Sequence, residues 1–233
     1  MKLNTLLQRR LFLLSLAGLS ACDRVSEAMD LDGSWAKLSD EDKTLRRKFR
    51  GLQGGQLVVD AFGEKEGVNI FDDSGRIFYQ RATVSAKNNS KHSYSADFGV
   101  SKMLRAEWRD RYLSSTDPHE PPPPGHVLGA YRGGKVLGNY TVPVASRIPD
   151  EVLDAVRNKE GGFRLKIRLH DDGLLIGWDI ESRPGYVPGG SYVPPVHSMA
   201  GGDFREAEIV DGKAVRKGWY IHPKTGQRIE TDF

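Results

Sequence analysis

One thiol, six histidines and a repeated Tyr-Val-Pro motif are the parts of this sequence whose chemistry could act on something else. The thiol belongs to Cys22, the only cysteine, so no disulfide within the chain is available to it. The histidines are scattered. His119 and His126 flank the run Pro121-Pro122-Pro123-Pro124 and are weighed as a metal pair, but two loop histidines ordinarily bind nothing, and no metal is assigned to them. His170-Asp171-Asp172 has the residue types of a general base with its orienting acid. It falls where a hairpin turn is expected, and turn chemistry is the preferred reading. Gly-x-Ser-x-Gly, a phosphate-binding glycine loop ending in Lys-Ser or Lys-Thr, and His-Glu-x-x-His do not occur. No catalytic residue and no cofactor is assigned, and the chain is read as a non-enzyme. The segment Tyr186-Val187-Pro188-Gly189-Gly190-Ser191-Tyr192-Val193-Pro194-Pro195 repeats its Tyr-Val-Pro. Prolines reduce the entropy lost on ordering, and tyrosines are good interface anchors. Tyr186 and Tyr192 are therefore the candidate partner-binding residues, against the alternative that they pack back on a sheet.

The elements around Cys22 sharpen its role. Residues 1–10 carry Lys2, Arg9 and Arg10, residues 11–19 are apolar but for Ser15 and Gly18, and Ser20-Ala21 precede the cysteine. A basic start, a short apolar middle and a small-residue end are the parts of an export signal. The apolar run is shorter than the about 20 residues that span a hydrocarbon core. Leu19-Ser20-Ala21-Cys22 resembles the lipobox of bacterial lipoproteins. That resemblance implies a diacylglyceryl group on the Cys22 sulfur, cleavage before it and acylation of the new amino terminus. Each buried methylene then contributes about 0.8 kcal/mol to membrane binding, and several chains hold far more firmly than one. Cys22 is the expected lipidation site, facing the periplasm. Arg9-Arg10-Leu11-Phe12-Leu13 resembles a twin-arginine export signal, although Gln8 stands where that pattern prefers Ser or Thr, and both export routes stay open. Asp23 resembles an inner-membrane retention signal of enteric bacteria, while other bacteria use different neighbours, so inner and outer membrane both stay open.

The chain has 34 basic and 31 acidic residues. Lys2, Arg9 and Arg10 account for the whole excess, so the part beyond residue 21 is formally neutral. A nucleic-acid footprint needs concentrated positive charge, and none is expected. At 38% hydrophobic residues a packed core is feasible, and the length suits one large domain or two small ones.

Residues 1–21 are read as the signal, 22–38 as a tether and 39–233 as the globular domain. Ser39 reads as an N-cap ahead of Asp40, Glu41 and Asp42, with Lys43, Arg46, Arg47 and Lys48 later and Gly51 to close. Strands are expected at Leu57-Val58-Val59 and Val68 to Phe71, with Asp72 to Gly75 turning into Ile77-Phe78-Tyr79. Leu104, Ala106 and Trp108 alternate with charge, as a half-buried strand does. Residues 111–125 form a loop whose four prolines favour polyproline II. It either links two subdomains divided near 111–126 or crosses the surface of one. Residues 136–145 read as strand, and 150–159 as a helix with Pro149 in its first turn, closed by Gly161-Gly162. Phe163, Leu165, Ile167 and Leu169 alternate with Arg164, Lys166, Arg168 and His170. After Asp171-Asp172-Gly173, Leu174, Ile176, Trp178 and Ile180 return, a strong hairpin pattern whose register the apolar face should fix. Residues 183–202 read as loop, 204–210 as strand, Asp211-Gly212 as turn, and further strands lie around Trp219 to Ile221 and Arg228-Ile229. The expected class is α+β, mostly antiparallel β-sheet with one or two short helices.

Two stretches are distinctive: GNYTVPVASRIPDEVLDAVRNKEGGFRLKIRLHDDGLLIGWDIE, from Gly138 to Glu181, and FREAEIVDGKAVRKGWYIHPKTGQRIETDF, from Phe204. Together they resemble envelope lipoproteins found with type VI secretion lipase effectors. The resemblance implies an immunity protein whose partner is a cognate lipase effector, a toxic phospholipase that it binds and inhibits. It transfers no functional residue except Cys22. The second reading is a ligand-binding or assembly lipoprotein of the envelope.

Overall fold

The computed structural model describes residues 37–52, 55–86, 90–93, 100–113, 127, 129–182, 185–186, 192–193, 195–210 and 213–232. The chain forms two compact units, Met1–Arg47 and Lys48–Phe233. The first described element is helix α1, Asp40–Lys48. Ser39 caps it as its sequence foretells: its Oγ accepts from the Asp42 N–H at 3.1 Å and donates to the Asp42 carboxylate at 2.6 Å. Asp40, Glu41 and Asp42 set negative charge at the positive end of the helix dipole. Gly51 follows in the left-handed region, at φ +78°.

The second unit is built on sheets, and the class is α+β with mostly antiparallel pairing. Its elements in chain order begin with β1 (Gly55–Ala61), β2 (Lys65–Phe71), β3 (Ile77–Val84), β4 (Ser90–Ser93), β5 (Met103–Arg109) and β6 (Val136–Pro143). A 3-10 turn (Ala145–Arg147), helix α2 (Asp150–Arg157), β7 (Gly162–His170), β8 (Gly173–Glu181), β9 (Gly185–Tyr186) and β10 (Tyr192–Val193) follow. The chain then forms β11 (His197–Gly202), β12 (Phe204–Arg205), β13 (Glu208–Val210), β14 (Lys213–Arg216), β15 (Gly218–Ile221) and β16 (Arg228–Thr231).

A five-stranded sheet runs β11-β8-β7-β1-β4, a four-stranded sheet β3-β2-β5-β6 and a three-stranded sheet β12-β15-β16. β9–β10 and β13–β14 are separate ribbons. The β7–β8 hairpin has the register its alternation requires, from Phe163 opposite Ile180 to Leu169 opposite Leu174. β1 joins β7 in parallel, pairing Leu57 with Leu165 and Val59 with Ile167. This pairing places strands from both sides of residues 111–126 in one sheet. Leu57, Val59, Ala61, Leu165, Ile167, Leu169, Ile176 and Ile180 are fully buried on one face. Val152, Leu153 and Ala155 of α2 are buried with them, each large side chain worth about 1.5–3 kcal/mol of burial.

Several boundaries differ from the sequence expectation. Pro149 stands at the N-cap, one residue before the first turn, and α2 ends at Arg157. Lys159, in place of a glycine, adopts the left-handed conformation after it, at φ +65°. Residues 197–202 are strand β11 instead of loop. The glycines that suggest a loop there serve the pairing itself. A Cβ on Gly202, at φ +102°, would lie 2.2 Å from the Ile176 carbonyl oxygen, and one on Gly201 would lie 2.8 Å from the Trp178 indole. The expected strand at 204–210 is divided: β12 pairs with β15, and β13 with β14.

Candidate functional site

The side chains with the most chemistry gather on the second face of the five-stranded sheet. β7 places Arg164, Lys166 and Arg168 there, at alternate positions, and all three are buried, with exposures of 5%, 1% and 1%. The hairpin alternation suggests a polar face open to water, and this face is closed. Each cation meets a carboxylate from another element. The Arg164 guanidinium forks onto Asp179 of β8, with Nε donating at 2.6 Å and Nη2 at 2.7 Å, and its Nη1 reaches Glu181 at 3.1 Å. Lys166 Nζ lies 3.1 Å from Asp179 and 2.7 Å from Glu206. Arg168 forks onto Asp60 of β1 at 2.7 and 2.8 Å. Bidentate geometry of this kind is the strong form of a charged hydrogen bond.

The cover is the chain from Asp203 to Glu206. Phe204 is buried, with the Arg168 guanidinium 4.2 Å from its ring centroid and Lys166 Nζ at 5.3 Å. Room for the ring comes from Gly177, the residue opposite Lys166 on β8, where a Cβ would lie 3.1 Å from Phe204 Cε1. Asp203 roots the cover. Its backbone N–H donates to the Ile176 carbonyl at 2.7 Å, and its carboxylate accepts from the Ile176 N–H at 2.9 Å and from the Arg147 guanidinium. Its carbonyl accepts from the Ile221 N–H at 2.7 Å, which ties β15 to the same point.

The two buried aspartates respond differently. Burial pushes the Asp179 carboxyl up, but the Arg164 hydrogen bonds and the charges of Lys166 and Arg164 outweigh it and hold Asp179 below its ordinary value. At Asp60 burial prevails over the Arg168 fork, and its carboxyl is raised. His197, at the start of β11, has Nδ1 3.9 Å from Asp179 and Nε2 3.7 Å from Glu181. Burial and the Arg164 charge lower its pKa against the pull of those carboxylates. Each of these three cations is spent on a carboxylate of the same chain, so the arrangement clamps strands together and its charges point inward.

His170 sits in the β7–β8 turn, where its Nδ1 accepts from the Asp172 N–H at 3.0 Å. That is the turn chemistry its sequence position suggests. Tyr186 and Tyr192 are register partners in the β9–β10 ribbon. Cys22, His119 and His126 lie outside the described residues. Among the described residues, no group of three or more His, Cys, Asp or Glu is placed to hold a metal ion. Nor is any helix among them long and apolar enough to cross a membrane.

Sequence reasoning misses Asp60, Asp179, Asp203 and Glu206 as members of one cluster. A local signal exists for two of them: Asp60 and Asp179 are lone carboxylates inside the apolar strands Leu57-Val58-Val59-Asp60-Ala61 and Leu174 to Ile180. Comparison with family models, with curated proteins and with solved structures finds no match for this chain.

Proposed function

We propose that this chain is an envelope lipoprotein, anchored through lipid on Cys22 and facing the periplasm, that binds and inhibits a toxic type VI secretion phospholipase effector. The observation that carries the reading is the coherence of the two stretches on which the resemblance rests. Gly138 to Glu181 provides β6, α2, β7 and β8, and the stretch from Phe204 provides the side chains laid across them. Phe204 and Glu206 of the second stretch meet Arg168 and Lys166 of the first. The two distinctive stretches thus make one scaffold, of the rigid kind an inhibitor needs to hold a surface ready for its partner. The basic export signal and the single cysteine after small residues support delivery to the compartment where such an effector acts.

The partner-facing element in this reading is the β9–β10 ribbon with Tyr186 and Tyr192. Exposed Val196 and Met199 follow it in sequence. Co-expression with the candidate phospholipase in the periplasm tests the proposal. Growth is restored if it holds, and killing that continues in the presence of well-folded protein sinks it. The Cys22→Ala chain should be folded and released from membranes. If it stays bound after a salt wash, the anchor is elsewhere.

A further inference from the structure

Two turns of the second unit lock onto each other through a pair of histidines. His170 ends β7 and His222 follows β15, with ring centroids 5.0 Å apart at an interplanar angle of 68°. Each ring closes its own turn in the same way: His170 Nδ1 accepts from the Asp172 N–H at 3.0 Å, and His222 Nδ1 from the Lys224 N–H at 3.2 Å. Phe62 and Tyr220 complete the junction, 5.2 and 5.6 Å from the His170 ring. Backbone approach is close as well, since a Cβ on Gly173 would lie 2.4 Å from Pro223 Cβ.

An Nδ1 that accepts a backbone N–H must keep its lone pair, so the ring proton of each neutral histidine is on Nε2. Both Nε2 atoms are then donors and neither is free to ligate a metal. His222 Nε2 lies 3.5 Å from an Asp172 carboxylate oxygen. Protonation strengthens that one contact but opposes the arrangement at two others. A proton on Nδ1 sets donor against donor at the Asp172 and Lys224 amides, so both turns lose a bond. Two imidazolium ions would also stand about 5 Å apart, which repels.

Other charged and titratable groups lie around the pair. Asp171 and Asp172 belong to the first turn and favour a protonated His170. Lys65 of β2 opposes it, and is ion-paired to Asp171 at 2.9 Å. Lys224 lies in the second turn, Tyr220 packs against the rings, and Tyr140 of β6 donates its hydroxyl to the Asp171 carbonyl at 2.6 Å.

We propose that His170 and His222 form a pH-operated latch, closed when both rings are neutral, which on acidification lets the β15–β16 turn lift from the β7–β8 turn. The root of the cover at Asp203 holds throughout, so the opening is local. Burial, then the neighbouring His222, push the His170 pKa down, against the pull of Asp172 and Asp171. A folded pKa below the unfolded one means that the stabilisation is present above the ordinary histidine value. It is lost as pH falls from there through the folded pKa. The latch stands on this geometry and is independent of the function proposed above.

The test is amide hydrogen exchange on the full-length chain at about pH 8 and about pH 5, corrected for intrinsic rates and spanning the imidazole range. Protection at 171–173 and 222–227 should fall about tenfold on acidification, as the net loss of a turn hydrogen bond implies, while that of 165–168 is unchanged. Asn accepts an N–H two residues on through its side-chain oxygen and does not titrate. The His170→Asn/His222→Asn chain should therefore keep the protection at both pH values. Wild-type protection that ignores pH, or a pH response that persists in the double variant, overturns the latch. Should that variant fail to fold, wild-type NMR decides. The Asp172 and Lys224 amide resonances must move with the midpoint of the histidine rings, and amides that stay fixed through that titration refute the proposal.

Discussion

β5 and β7 carry the same written pattern, apolar residues alternating with charged ones, yet they meet different surroundings. On β5 the charged positions read Arg105, Glu107, Arg109, and the strand neutralises itself: Glu107 pairs with Arg105 at 3.0 Å and Arg109 at 3.2 Å. That face stays partly open, with the Arg105 side chain 36% exposed. On β7 they read Arg164, Lys166, Arg168, three charges of one sign. Their counter-charges come from β1, β8 and the C-terminal cover, and the face is sealed. A strand with alternating signs can satisfy itself, whereas three like charges in a row must be matched from elsewhere. Matching them in a dry interior requires several elements to be in place at once.

The comparison is broken most forcefully at Asp179. Asp179→Ala removes the buried carboxylate that Arg164 and Lys166 share and should cost about 3–5 kcal/mol in urea unfolding. Asn69→Ala comes next. Asn69 is fully buried, and its amide brackets the Tyr131 backbone, accepting from its N–H at 2.8 Å and donating to its carbonyl at 2.9 Å. Its loss should cost about 2 kcal/mol. Glu107→Ala on the partly open face should cost about 1 kcal/mol by the same measurement, and a loss equal to that of Asp179→Ala would erase the contrast between the strands. Arg105→Ala, at the exposed end of the series, should change stability by no more than about 0.5 kcal/mol.

pH sharpens the same contrast. Asp179 is held below its unfolded value, so its contribution is complete above the ordinary aspartate range and is lost as pH falls from there through the lowered folded value. The Asp179→Asn chain should accordingly show a shallower loss of stability between about pH 5 and about pH 3 than the wild type. An equal slope would mean that Asp179 is not the acid-sensitive member of the cluster.

Much of the architecture is legible in local pattern. The cap at Ser39, the Asp72 to Gly75 turn and the β7–β8 register follow from residue types within a few positions of one another. What pattern does not reveal is partnership over distance. Asp60 and Arg168 are 108 residues apart, and nothing near either names the other. Likewise β1 and β7 pair in parallel through a long connection, and no hairpin signal marks it. β11 is hidden for a different reason: its glycines resemble loop chemistry but are needed where Trp178 and the Ile176 carbonyl come close. At the candidate site, the three cations are visible as a series, while their burial depends on Phe204 and Glu206 arriving from the C-terminal cover. Tyr186 and Tyr192 are recognisable as a repeat, while their register pairing in a ribbon is not.

The sealed face of β7 is the structural claim on which the scaffold reading depends, and lysine labelling addresses it directly. Lys166 is 1% exposed, while Lys213 and Lys217 are exposed. When the folded chain is treated briefly with an amine-reactive acylating reagent and read by mass spectrometry, Lys213 and Lys217 should be modified while Lys166 is spared. It should react only on unfolding. Modification of Lys166 in the native chain at a rate like that of Lys213 would mean the face is open, and would contradict the account.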